Sequence, residues 1–368
     1  MNRIPLSKPL ITDEMIDAAS NALRNERLVL GESVYKFEEQ FAKYIGTDCA
    51  VAVSSGTAAL VLALMGLNVR GKEIITTPLS FIATANSIVY SEGIPVFADV
   101  DEGTYCIDPA QVIGRISEKT CGILPVHLYG YPCPMDDIKD IARRKGLVIV
   151  EDAAQAHGAI YKGRRIGSFG EAGCFSFYPT KNLTVAGDGG MVTTNDSVLA
   201  SKLRKLRDCG RASRYLHDVF GFTARLNTVN AAIGLVQLKH IEEWNERRRS
   251  IAKRYVSKLG NIEEIKLPPM GSADIRPVFH LFVIRCQKRN ELAQYLEANG
   301  IECGIHYPIP IHLQPIYRST YNYQEGSFSM SERISREVLS LPMYPALTSH
   351  EVDYICEKIA DFYGGTVR

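Results

Sequence analysis

The chain has 368 residues, is 46% hydrophobic and 23% charged, and carries a formal net charge of +1. That length supports a substantial core in two packed lobes, and so small a charge gives no electrostatic case for nucleic acid or an anionic membrane as the main partner. Met1-Asn2-Arg3-Ile4-Pro5 lacks the apolar run of a signal peptide, and no stretch approaches membrane-spanning length. The 9 cysteines, without a C-x-x-C pair, read as free thiols of a reducing cytoplasm and not as disulfides or a metal site.

From about residue 48 to 195, short apolar runs alternate with helical patterns, the signature of a mostly parallel sheet covered on both faces. Strands are expected at 50–53, 73–77, 95–98, 122–126, 148–151, 173–177 and 190–194, with helices at 57–65, 82–91 and 135–145 between them. Residues 228–258 carry apolar side chains at spacings of three and four, such as Val229, Ala232, Ile233 and Val236, and predict one long helix. A smaller α/β lobe should follow, with a strand at 278–285 and helices at 289–299 and 349–362. The fold class is therefore α/β: an N-terminal arm and large lobe over 1–240, and a small lobe over 241–368.

Three segments carry chemistry. Glu151-Asp152-Ala153-Ala154-Gln155-Ala156-His157-Gly158 closes an apolar strand with an acid. Lys181 follows 29 positions after Asp152, inside Phe175-Ser176-Phe177-Tyr178-Pro179-Thr180-Lys181-Asn182 on the next strand-loop. This pairing is what pyridoxal phosphate chemistry requires. The lysine amine condenses with the cofactor aldehyde, and the carboxylate pairs with the protonated pyridine nitrogen and keeps the ring an electron sink. The third segment, Val53-Ser54-Ser55-Gly56-Thr57-Ala58-Ala59-Leu60, reads as strand, small-residue turn and helix start. Its free amides and positive dipole end suit a phosphate, with Gly56 permitting close approach and Thr57 capping or bonding. Taken alone, that segment reads more simply as a capped helix start.

With these motifs in hand, the chain resembles the DegT/DnrJ/EryC1/StrS pyridoxal-phosphate aminotransferases that act on nucleotide-linked keto sugars. The likeness runs from Ile4-Pro5-Leu6 to Pro342-Met343-Tyr344-Pro345 and includes Gly187-Asp188-Gly189-Gly190-Met191-Val192 and His306-Tyr307-Pro308. It implies the fold type I transferase architecture, pyridoxal 5'-phosphate as cofactor, no metal, and a homodimer with shared active sites. It also implies Lys181 as the residue that holds the cofactor and shuttles the proton. Asp152 becomes the pyridine-nitrogen partner, Gln155 the partner of the phenolic oxygen, Ser176 a phosphate ligand and Phe81 the aromatic over the ring. His157 is either a buttress of the Asp152 loop or plain structure. His306, Tyr307 and His312, with Gly31 and Glu32 near the N-terminus, are the implied substrate contacts.

Two departures matter. The family commonly has Gly-Tyr-Asn-x-Arg-Met, whose Asn reaches the phosphate of the neighbouring subunit; here Gly221-Phe222-Thr223-Ala224-Arg225-Leu226 puts Thr223 in its place and keeps Arg225 for an anion. The stretch from Lys181 to Gly190 resembles members that aminate carbon 3 but shares features with carbon 4 enzymes. The reading is a cytoplasmic transaminase passing an amino group from L-glutamate to a nucleotide-activated keto sugar. An unactivated keto sugar or keto sugar acid is the alternative acceptor. A sugar dehydratase on this fold replaces the lysine by histidine, and a cofactor-binding sensor usually carries an added DNA-binding domain for which this chain leaves no room.

Overall fold

The computed structural model describes residues 3–364. Seven strands form the main sheet: β1 (Cys49–Val53), β2 (Glu73–Thr76), β3 (Ile94–Phe97), β4 (Thr120–Leu124), β5 (Val148–Asp152), β6 (Ala172–Ser176) and β7 (Gly190–Thr194). Their order is β1-β7-β6-β5-β4-β2-β3; β7 runs antiparallel to both neighbours, and every other adjacent pair is parallel. Each of these seven strands forms within two residues of its expected ends. The near-continuous apolar runs arise because both faces are covered.

Alternation along β6 sorts the two faces. Phe175, with Phe177 beyond the strand end, packs among Phe37 and Phe41 of the helix Glu32–Ile45. Ala172 and Cys174 point the other way, into a core shared with Leu60, Leu62 and Leu64 of the helix Gly56–Gly66. Ser176, two residues past Cys174, therefore ends the strand on the side of that helix. The sequence pattern of one strand thus brings a hydroxyl to a helix start.

The helix Thr228–Leu259 runs 32 residues, capped by the Asn227 side chain accepting from the Asn230 amide. The division expected at 240/241 lies inside it. Its early residues Ala231 and Ile241 join the core under the large sheet, while Ile251, Ala252, Tyr255 and Leu259 join a separate core. That core belongs to a three-stranded antiparallel sheet of Ile265–Lys266, Phe282–Cys286 and Val338–Leu341, covered by the helices Arg289–Ala298 and Ser349–Tyr363. The strand expected at 278–285 starts only at Phe282. Residues before it spend their backbone groups on the large lobe: the Val278 amide donates to the Gly130 carbonyl, and the Val278 carbonyl accepts from Asn182. Among the described residues, no helix is long and apolar enough to cross a membrane.

Glu151, next to the end of β5, is a fully buried carboxylate that serves the fold. It accepts from the amides of Gly167 (2.9 Å), Phe169 (2.7 Å) and Gly170 (3.0 Å) and pairs with His127 at 3.2 Å. Burial pushes its pKa up, but His127 and the amides outweigh burial and hold it below 4.5. A depressed folded pKa means its stabilisation is present above the unfolded value and lost as pH falls through the folded one. Glu151→Gln is expected to cost about 2–3 kcal/mol in urea unfolding at neutral pH. The gap to wild type should close below pH 4.5.

Candidate active site

A cavity of about 580 Å³ opens at the C-terminal ends of β5 and β6, where parallel sheets place their ligand crevices. Asp152, Gln155, Ser176, Lys181, Gly56, Thr57 and Phe81 all line it, as do His306 and Tyr307 from the small-lobe side.

Asp152 is 5% exposed. Thr84 Oγ1 donates to one of its carboxylate oxygens at 2.7 Å, and the Ala154 amide donates to the other at 3.2 Å. Thr84 has one proton and spends it here, so the Ser80 hydroxyl, 2.8 Å away, donates to Thr84 in turn. Burial raises the Asp152 pKa, against the opposing pull of Thr84, Ala154 and Lys181. Among the described residues no arginine or lysine stands within salt-bridge distance of this carboxylate, and Lys181 acts on it only from longer range.

Lys181 sits in the turn after β6, its own amide donating to the Tyr178 carbonyl at 2.8 Å. Desolvation lowers its pKa to about 8, and Asp152 is the influence that resists the fall. The amine is thus far richer in its neutral, nucleophilic form than an ordinary lysine.

Across the cavity, Ser55 caps the helix Gly56–Gly66, its side chain accepting from the Ala58 amide at 3.0 Å. The amides of Gly56 and Thr57 have no acceptor within the helix. A Cβ at Gly56 would stand 2.6 Å from Ser176 Cβ, so only glycine lets this helix start meet the strand end. Gly190 pinches the same corner, where a Cβ would lie 2.3 Å from the Ser55 carbonyl oxygen. Free amides, a hydroxyl and a positive helix end form a cradle of the kind a phosphate fills.

Gln155 is 4% exposed; its Oε1 accepts from the Tyr129 amide at 2.7 Å and its Nε2 donates to the Tyr307 hydroxyl at 3.2 Å. Phe81 is 56% exposed, its ring on the cavity wall 5.9 Å from the Tyr307 ring. His306 holds Ser340 at 2.8 Å through Nδ1, and burial with the nearby Lys181 charge lowers its pKa to about 4, so it is neutral.

The remaining candidates stand elsewhere. His312 is buried beside Phe328 and paired with Glu332 at 3.0 Å. Glu32 is an exposed residue bound to Lys36 one turn on. The Gly31 amide bonds Thr228 Oγ1 at 3.0 Å, and a Cβ there would meet the Arg27 carbonyl oxygen at 2.4 Å. Arg225 is spent on Asp208. Thr223 is exposed, 3.3 Å from Cys209 Sγ, and does not line this chain's own cavity. His157 is buried between Phe175 and Phe177, at 5.3 and 5.8 Å, with burial lowering its pKa to about 3.

Thr84 and His280 line the cavity and Tyr129 stands behind its wall, and the sequence reading singled out none of the three; Asp188, read there only as part of a motif, lines it too. Ser80 and Thr84, four apart where a helix begins, could have been found as one hydroxyl-bearing face. Tyr129 has no local signal, since its role is set by residues far along the chain.

The model of the DegT/DnrJ/EryC1/StrS aminotransferase family matches residues 9–360. A Streptomyces venezuelae protein named dTDP-3-amino-3,4,6-trideoxy-alpha-D-glucose transaminase is 44% identical over 346 residues, covering 94% of this chain and 91% of that one. A Geobacillus stearothermophilus protein named pleiotropic regulatory protein is 42% identical over 352 residues, covering 95% and 94%. The crystal structure of S. venezuelae DesV in complex with a ketimine intermediate superposes with a TM-score of 0.95 at 40% identity, covering 98% of this chain and 99% of that one. The chain belongs to the DegT/DnrJ/EryC1/StrS aminotransferase family, a family of pyridoxal-phosphate-dependent sugar aminotransferases.

Proposed function

We propose that this chain transfers an amino group from L-glutamate to carbon 3 of a nucleotide-activated keto sugar, as a cytoplasmic homodimer using pyridoxal 5'-phosphate. The observation that carries the reading is one cavity holding a lysine amine of pKa about 8, a buried carboxylate and a glycine-lined helix start. The residues fit the cofactor: Lys181 would hold it covalently, and Asp152 would face its ring nitrogen. Gly56, Thr57 and Ser176 would take the phosphate, Phe81 the ring face and Gln155 the phenolic oxygen. When bound, the cofactor supplies the electron sink that lets an amino group leave one carbon and join another.

The chain's own residues do the rest. Lys181 is a proton carrier whose lowered pKa lets the amine accept and release a proton near neutral pH. Asp152 is held by Thr84 and Ala154 so that its charge stays fixed while the proton moves. Phe81 and Tyr307 supply an aromatic wall on one side of the cavity. Carbon 3 as the site of amination is supported by the spacing after Lys181 and by the 3-amino product in the name of the Streptomyces relative. A dimer is supported by exposed apolar side chains around Thr223, with Phe220 97% and Phe222 46% exposed. In such a dimer Thr223 would act at the partner's cavity. The free cysteines support a cytoplasmic setting.

Lys181→Ala should fold as wild type by circular dichroism yet lose amino transfer from L-glutamate to a nucleotide-linked 3-keto sugar; retained turnover sinks the assignment. Asp152→Asn should move the Lys181 pKa further below about 8, because it removes the charge that holds the ammonium. The pH dependence of Lys181 acylation in the cofactor-free protein measures this, and an unchanged or raised midpoint contradicts it.

A further inference from the structure

Tyr129 is buried, lies outside every motif, and closes a ring of three hydrogen bonds behind the cavity wall. Its backbone amide donates to Gln155 Oε1 at 2.7 Å, and Gln155 Nε2 donates to the Tyr307 hydroxyl at 3.2 Å. Its own hydroxyl donates to the carbonyl of His306, the residue before Tyr307. Burial holds the Tyr129 phenol well above its ordinary pKa, so the hydroxyl remains a donor. The backbone at Tyr129 has φ +57° and ψ 9°, a left-handed conformation that bulky side chains rarely adopt. That conformation aims the amide and the hydroxyl at two segments 26 and 177 residues away in sequence.

The ring decides how Gln155 presents itself. A backbone amide can only donate, so the Gln155 carbonyl must face Tyr129 and its NH2 must face Tyr307 and the cavity. One of the two N–H groups goes to Tyr307, which leaves the other for an acceptor in the cavity. The same ring seats the His306–Tyr307 segment of the small lobe on the large lobe.

We propose that Tyr129 is a positioning residue that sets the Gln155 donor and the His306–Tyr307 wall together, so that the two are one coupled unit acting on the bound cofactor. This rests on the function proposed above, in which Gln155 serves the cofactor's phenolic oxygen.

The test uses Tyr129→Phe, Tyr307→Phe and the double variant of the full chain, with pyridoxal phosphate as the probe. Each single variant should weaken cofactor affinity about 3- to 10-fold, the worth of one hydrogen bond. Each should also shift the pH midpoint of the bound cofactor's visible absorbance band. The double variant should do little more than either single one, because both break the same ring. In the cofactor-free protein, Tyr129→Phe should raise hydrogen exchange around residues 304–308 while the thermal melting point stays near wild type. An unmoved midpoint and affinity in Tyr129→Phe, or fully additive effects in the double variant, overturns the proposal. Wild-type protein that binds no pyridoxal phosphate would instead overturn the function itself.

Discussion

A carboxylate buried at the end of a parallel strand is expensive unless donors or a cation meet it, and Asp152 is only partly met within this chain. Thr84 and Ala154 fix its two oxygens, yet burial still pushes its pKa up. The nearest balancing charge is Lys181, which burial in turn pushes down to about 8. Each group weakens the other's cost without closing a salt bridge, so both remain available to a third partner. The cavity is held in this tension by the rest of the fold, and a cationic ring nitrogen facing Asp152 would compensate the carboxylate.

The sheet makes the arrangement possible. β5 and β6 are parallel neighbours with Asp152 in register with Cys174, so the strand carrying the acid and the loop carrying the lysine leave at the same end. The helix Gly56–Gly66 starts at that end too, brought there by β1 and the antiparallel β7. Gly56 and Gly190 then settle how closely the helix start approaches Ser176, at distances that exclude any side chain. Glu151, one residue before Asp152, points away from the cavity and ties three loop amides and His127, so adjacent acids on one strand divide between chemistry and scaffold.

Much of this was legible in the sequence where the signal is local. The strands are short apolar runs between turns, and the cofactor motifs lie directly at their ends, so Lys181, Asp152, Gln155, Ser176 and Gly56 fall on one cavity as the pattern indicates. What was not legible depends on partners distant in sequence. The strand expected from 278 begins at Phe282 because Gly130 and Asn182 claim the preceding backbone. His312 has the look of a site residue in His306-Tyr307-Pro308-Ile309-Pro310-Ile311-His312, but Glu332, 20 residues on, draws it into a buried pair. Tyr129 is the converse case, ordinary in sequence and placed by its backbone angle to join Gln155 and His306.

The central claim is that the Lys181 amine is the attachment point. The most direct measurement is to incubate the purified protein with pyridoxal phosphate, reduce it with borohydride, digest it and locate the modified peptide by mass spectrometry. The account predicts a single stoichiometric pyridoxyl adduct on Lys181. No adduct, or an adduct spread over exposed lysines with Lys181 unmodified, would contradict it.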